Sequence, residues 1–231
     1  MVADVKQVEG FVLHSRNYTD SKKILHLFTY TFGLISAVIR ESKRNQHPRP
    51  FVKCYFELSG RGGLKTIRSA ESLSAPVVQE GRGLFCGIYL NELITRALPD
   101  GEGFDELVRL YDETIVKLGV AIEHKLHEVL LRRFELVLLQ EMGLGMSFTH
   151  CIDGQRILPD DSCYVYGEGQ GFRRVNLSPS SRPDVFTGAH LNAINVQDWN
   201  KESLLAAKHI SRLALRPLLG NKPIKARELF T

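Results

Sequence analysis

The sequence predicts an α+β chain of more than one domain: a small N-terminal β-barrel, then a helical domain with a short irregular insertion. Three observations lead there. Up to residue 70 the apolar residues come in short runs separated by turn-formers; past Pro76 they recur at helical spacing; and from residue 147 two cysteines lie among glycine turns.

The strand-like runs are residues 11–14, 24–28, 34–39, 51–58 and 64–70, with turn segments such as RNYTDS and SGRGG between them. Five strands within about eighty residues suffice for a closed barrel of the OB type. In the fourth run, Val52, Cys54, Phe56 and Leu58 fall on one face and read as core. Phe51, Lys53, Tyr55 and Glu57 fall on the other, where aromatics beside a lysine suit base stacking and phosphate contact. The connection after the third run is basic and broken by Pro48 and Pro50: Arg40, Lys43, Arg44 and Arg49 precede Lys53, with only Glu41 opposed. Lys65 and Arg68 follow on the fifth run, on opposite faces of a strand.

Cys86, Tyr89, Leu90, Leu93, Ile94 and Ala97 fit one amphipathic helix, and Phe104, Leu107, Val108, Tyr111, Ile115 and Leu118 a second. Pro99, Gly101 and Gly103 punctuate the gap. A third helix, about 123–142, is apolar on nearly every face and reads as a buried spine interrupted by Arg132 and Arg133; Gly143 and Gly145 stop it. With the first two it is expected to form an antiparallel cluster. Near the end, Lys208, Arg212 and Arg216 recur every four residues as a basic stripe opposite Ile210 and Leu213, closed by Pro217 and Gly220.

The charge is unevenly placed. Residues 1–78 carry 12 Lys/Arg against 6 Asp/Glu, residues 79–150 carry 7 against 12, and residues 151–231 carry 11 against 8. Basic ends around an acidic middle point to an anionic partner at the ends, nucleic acid first. No apolar run of about eighteen residues occurs, so no membrane span is expected. The polar start MVADVKQVEG lacks the apolar stretch of a secretory signal, and four scattered cysteines suit reduced thiols, so a cytoplasmic protein is expected.

Several chemistries lack their residues. No GxxxxGK[ST] and no GxGxxG is present; GEGQG at 167–171 has the wrong spacing, which sets aside ATP-driven and dinucleotide chemistry. No GxSxG elbow occurs, and the single-residue candidates for catalysis carry no local signature. His124 and His127 stand three apart without a Cys or carboxylate partner. Cys151 and Cys163, with His150, make half of a zinc site; the residue three after Cys151 is Gly154.

Longer strings carry a resemblance over almost the whole chain: GFVLHSR, GGLKTIRSAE, YLNELITRAL, LRRFELVLLQEMGLG and LRPLLGNKPIKARELF occur in that order. The chain resembles the RecO family of bacterial recombinational-repair proteins. The resemblance implies an OB-fold over 1–78, a helical domain from 79–146 and 187–231, and a zinc-ribbon-like segment over 147–186. Many members bind zinc there through two CxxC pairs; only Cys151 and Cys163 remain, so no metal or other cofactor is expected. The resemblance further implies binding of single- and double-stranded DNA and annealing of complementary strands, without enzymatic turnover. With RecR, it implies help in replacing single-stranded DNA-binding protein by RecA. A monomer is expected.

The acidic tail of that binding protein docks on the family's helical domain, which gives Arg132 and Arg133 a physical role: a terminal carboxylate beside an aromatic needs an arginine fork next to an apolar pocket. Tyr89, Leu90 and Leu93 are candidate walls. The bland alternative is an intrahelical pair of Arg132 with Glu128, four residues earlier. For DNA, the expected contacts are Arg40, Lys43, Arg44, Lys53 and Lys65 on the barrel, with Lys208, Arg212 and Arg216 as a second track. A rival reading is an adaptor joining RecR to the single-stranded DNA-binding protein, its own DNA contact incidental.

Overall fold

The computed structural model describes residues 5–40, 48–77, 80–180, 182–220 and 222–230. The chain folds as two compact units, 1–127 with 223–231, and 128–222.

The first unit is built on a closed barrel of β1 (Val5–Thr19), β2 (Lys22–Thr29), β3 (Gly33–Arg40), β4 (Lys53–Ser59) and β5 (Leu64–Ser72), in the order β1-β2-β3-β5-β4. Every pairing is antiparallel except β3 with β5. This is the expected barrel of OB type. Its interior holds Val12, Leu25, Leu27, Ile35, Phe56 and Ile67, together with the alternating set Val52, Cys54 and Leu58 read from the sequence. Strand β1 is longer than its apolar run because it curls along two neighbours, pairing with β4 through Val5 to Phe11 and with β2 through Gly10 to Thr19.

Helices α1 (Gly81–Ala97) and α2 (Asp105–Val120) cover part of the barrel's outside. The reason lies in β1 and β2, whose outward residues Phe11 and Phe28 are apolar and would otherwise face water. Both stand edge-on to the ring of Tyr111 on α2, at 5.0 and 5.8 Å between centroids. Tyr111 is fully buried, so its hydroxyl needs a partner; it donates to Asn91 Oδ1 on α1 at 2.6 Å. Asn91 Nδ2 in turn donates to the Leu13 carbonyl of β1 at 2.9 Å. One chain of bonds thus ties α2 to α1 and α1 to the barrel.

The C-terminal 3-10 helix (Lys225–Phe230) returns to α1. The Glu92 carboxylate accepts from the amides of Lys225 and Ala226 at 2.9 and 2.8 Å, capping a helix start that has no acceptor of its own. Arg96 donates to the Pro223 carbonyl, and Phe230 stands edge-on to Phe85.

Helix α3 (His124–Glu141) begins in the first unit and runs into the second. Leu130, Leu131, Phe134, Leu138 and Leu139 are buried, as a spine requires, whereas Leu136 and Val137 are half-buried. The helix stops at Gly143, whose φ is +71°, with the Leu144 amide returning to the Leu139 carbonyl. The segment expected to be zinc-ribbon-like holds a small antiparallel sheet of β6 (Cys163–Gly167), β7 (Gly171–Val175) and β8 (Val185–Thr187), in the order β7-β6-β8, around Tyr164, Phe172 and Phe186.

Helices α4 (Gly188–Asn195), α5 (Lys201–Ala214) and α6 (Arg216–Leu219) follow. Asn200 and Ser203 form a reciprocal cap at the start of α5. The basic stripe does not lie on one helix: α5 ends at Ala214 and Arg216 opens α6, because Pro217 has no amide to continue the ladder. Among the described residues, no helix is long and apolar enough to cross a membrane.

Replacing Tyr111 by Phe leaves the buried Asn91 carbonyl without its donor and is expected to lower stability by about 1–3 kcal/mol. Urea unfolding read at the first unit would show it; an unchanged midpoint would remove the bond from the account.

Candidate nucleic-acid interface

The cations that share a surface are found from strand register. Residues directly paired across antiparallel strands lie on the same face. On the outside of the barrel the rows run His14, His26, Ser36; then Arg16, Ile24, Val38; then Thr19, Lys22, Arg40. The intervening residues Leu25, Leu27, Ile35 and Ala37 point inward. Arg16, Lys22 and Arg40 are exposed, and no carboxylate stands in these three rows.

Arg40, read from the sequence as the start of the basic connection, is the last residue of β3 and stands opposite Lys22. Lys43 and Arg44 lie outside the described residues. Arg16 and Lys22 were not singled out from the sequence. The only signal was their place around the RNYTDS turn, and the pairing of Lys22 with Arg40 depends on a register that periodicity does not reveal.

At the near end of the rows, the imidazoles of His14 and His26 stand 6.2 Å apart between centroids, and Ser36 Oγ lies 3.3 Å from His26 Nδ1. Burial, then repulsion from His14 and Arg16, hold His26 below the usual imidazole range, against a smaller pull from Asp100.

Lys53 is placed differently from the exposed stacking face expected of it. Its ammonium pairs with Glu9 at 3.1 Å and Asp112 at 3.4 Å and lies over the Tyr30 ring, whose hydroxyl also donates to Asp112. Burial alone would lower its pKa; the Glu9 hydrogen bond and the charges of Tyr30 and Asp112 reverse that and raise it. Its neighbour Phe51 is buried rather than standing outward. Lys65 shares the inward parity of Ile67, is half-buried, and donates to the Gly60 carbonyl. Neither lysine joins the outer rows.

In the second unit, Arg212 and Arg216 are exposed and Lys208 is half-buried. Burial lowers the Lys208 pKa, and repulsion from Arg212 and Arg132 adds to it, against Glu128 and Glu135. Arg132 is not open to a partner's carboxylate: its side chain is 7% exposed and pairs with Glu135, 1% exposed, at 2.8 Å. That intrahelical partner lies three residues on rather than at Glu128. Arg133, one position along, is exposed. One turn further, Leu136, Val137, Gln140, Met146 and Phe148 line a groove of about 420 Å³. Tyr89, Leu90 and Leu93 offer no open wall, since Leu90 and Leu93 are wholly buried in the first unit and Tyr89 nearly so.

The two thiols do not fit a structural zinc. Such a site takes four donors. Cys151 is buried, Gly154 at the third position has φ +83° and no donor, and Cys163 Sγ lies against the Asp161 carbonyl. Among the described residues no three His, Cys, Asp or Glu side chains gather into a metal-binding group.

Two family models match the chain: "Recombination protein O N terminal" over residues 1–76 and "Recombination protein O C terminal" over residues 79–228. A DNA repair protein RecO of Enterobacter sp. (strain 638) is 38% identical over 227 residues, covering 96% of this chain and 94% of that protein. The DNA repair protein RecO of Salmonella schwarzengrund (strain CVM19633) and that of Salmonella typhimurium (strain LT2) are each 38% identical, covering 96% of this chain and 92% of the relative.

Arg132→Ala removes the guanidinium from a buried carboxylate and is expected to destabilise the second unit by about 3–5 kcal/mol. Arg133→Ala is expected to change stability by no more than about 0.5 kcal/mol. Equal effects of the two in thermal or urea unfolding would contradict the burial of Arg132.

Proposed function

The chain belongs to the RecO family of recombination and DNA-repair proteins, and from that premise we propose that it is a DNA-binding mediator without catalytic turnover. It anneals complementary single strands and, with RecR, helps RecA onto DNA covered by single-stranded DNA-binding protein in the cytoplasm. The observation that carries the DNA-binding part is the outer surface of β1, β2 and β3, where Arg16, Lys22 and Arg40 stand on adjoining rows with no carboxylate among them.

Two complementary strands repel each other along their whole length. A cationic surface that displaces counterions from one strand lowers the work of bringing up the second, and the released ions supply the driving force without a nucleotide cofactor. The reading includes no resident metal, supported by a two-thiol donor set; stoichiometric zinc in elemental analysis of the purified protein would overturn that part.

The double reversal Arg16→Glu, Lys22→Glu is expected to weaken single-strand binding at least about tenfold near 0.1 M salt and to flatten the log–log salt dependence by roughly two. Lys53→Gln is expected to stay within about twofold, because its charge is already met by two carboxylates. Wild-type affinity in the double reversal would sink this surface as the DNA site.

The adaptor reading also has a specific support. Arg133 is exposed and lies three and four residues before Leu136 and Val137 of the 420 Å³ groove, so it stands over the same helix face. An exposed cation beside an apolar slot suits an acidic peptide that ends in an aromatic. Arg133→Ala should then lose binding of such a peptide while annealing of naked DNA persists. Loss of annealing with peptide binding intact would reverse the assignment.

A further inference from the structure

The first unit carries a second recess that the basic rows alone do not explain. A groove of about 850 Å³ opens between β1, residues 49–51 and α1. Leu13, Pro50, Phe51, Leu84 and Ile88 give it apolar walls, while Arg49, Lys225, His14 and His26 stand among its lining. This size lies in the range of pockets that take a small organic group.

Three features bear on its occupant. The first is charge. Glu92, the carboxylate of the lining, is engaged by the amides of Lys225 and Ala226 and by Arg96, whereas Arg49 and Lys225 are exposed. The second is continuity. His14 and His26 belong both to this groove and to the first of the outer rows, and the row of Lys22 and Arg40 lies four residues along β2, about 13 Å away. A groove for an apolar ring is thus joined to a track for a chain of anions.

The third is strain. Phe51 has φ +64°, a left-handed conformation that a bulky side chain rarely adopts. The turn lays its ring on Gly87 of α1, where a Cβ would stand 2.7 Å from Phe51 Cε1. The left-handed turn thus packs the ring, itself almost wholly buried, against α1 as part of the groove's lining.

We propose that this groove receives an unstacked base of single-stranded DNA while the flanking phosphates lie along the rows of Arg16, Lys22 and Arg40. The inference rests on the DNA-binding reading above and goes beyond it: the groove adds a contact that only an unpaired strand can make, because a base held in a duplex cannot enter. Base burial against these apolar walls supplies an increment that phosphate contact alone lacks.

The test compares a thymine oligonucleotide of about 20 nucleotides with an abasic strand of the same length, which keeps the phosphates and loses the bases. The intact protein is expected to bind the base-bearing strand about tenfold more tightly. Ile88→Trp, which fills the groove from a position already at the surface, is expected to bring that ratio to about one. Leu84→Trp, one helical turn away, should do the same and guards against a folding defect peculiar to Ile88.

Equal binding of both strands by the intact protein overturns the base groove and leaves the basic surface standing. Failure to bind either strand overturns both. A preference that survives both fillings moves the base elsewhere and also overturns the proposal. So does a surviving preference with loss of binding to an acidic peptide ending in phenylalanine, which would assign the groove to a protein partner.

Discussion

A single extra residue in β1 governs what the barrel shows to its surroundings. Between Val12 and His14 the register with β2 shifts, leaving Leu13 out of the pairing. Before that bulge the outward positions are Glu9 and Phe11; after it they are His14 and Arg16. Strict alternation from Phe11 would have turned Leu13 outward and sent His14 inward, since a one-residue slip exchanges the faces of a strand. The bulge therefore divides the outer surface into an apolar half covered by α1 and α2 and a basic half left open. The unpaired Leu13 has its carbonyl taken by Asn91, so the residue that makes the switch is also the one that anchors the helices.

The sequence carried the parts of the fold that depend on period. Alternation in β4 placed Val52, Cys54, Phe56 and Leu58 in the barrel core, and helical spacing located α1, α2 and the spine of α3. Gly143 marked the helix end because a left-handed cap has a residue signature. What remained hidden depends on relations between distant segments. Nothing local says that the 3-10 helix from Lys225 returns to Glu92, that Lys22 faces Arg40, or that Phe51 leaves its strand. Long strings shared with a family named the chain, but they did not distinguish an exposed arginine from a buried one.

Arg132 and Arg133 show why that distinction matters. Adjacent on a helix, they lie about 100° apart around its axis, so one can enter the core while its neighbour meets water. Arg132 enters with Glu135, which satisfies charge at the cost of removing both groups from solvent. Arg132 also acts on Lys208, whose ammonium is disfavoured first by burial and then by Arg212 and Arg132, against Glu128 and Glu135. The cations of α5 and α6 are therefore unequal: Arg212 and Arg216 stand in solvent, while Lys208 belongs partly to the interior.

Charge segregation on the barrel follows the same logic at larger scale. On the side formed by β1, β4 and α2, Lys53 is surrounded by Glu9, Asp112 and Tyr30, a set with no surplus positive charge. On the side formed by β1, β2 and β3 the cations have no such counterparts in their rows. A barrel basic all round would attract a polyanion without orienting it, whereas one-sided charge confines a strand to a single track. Under the annealing reading proposed above, confinement has a further consequence. Each phosphate contact adds to affinity and to salt sensitivity alike, so on that reading a short track would hold a strand long enough to meet its complement and would still release the duplex.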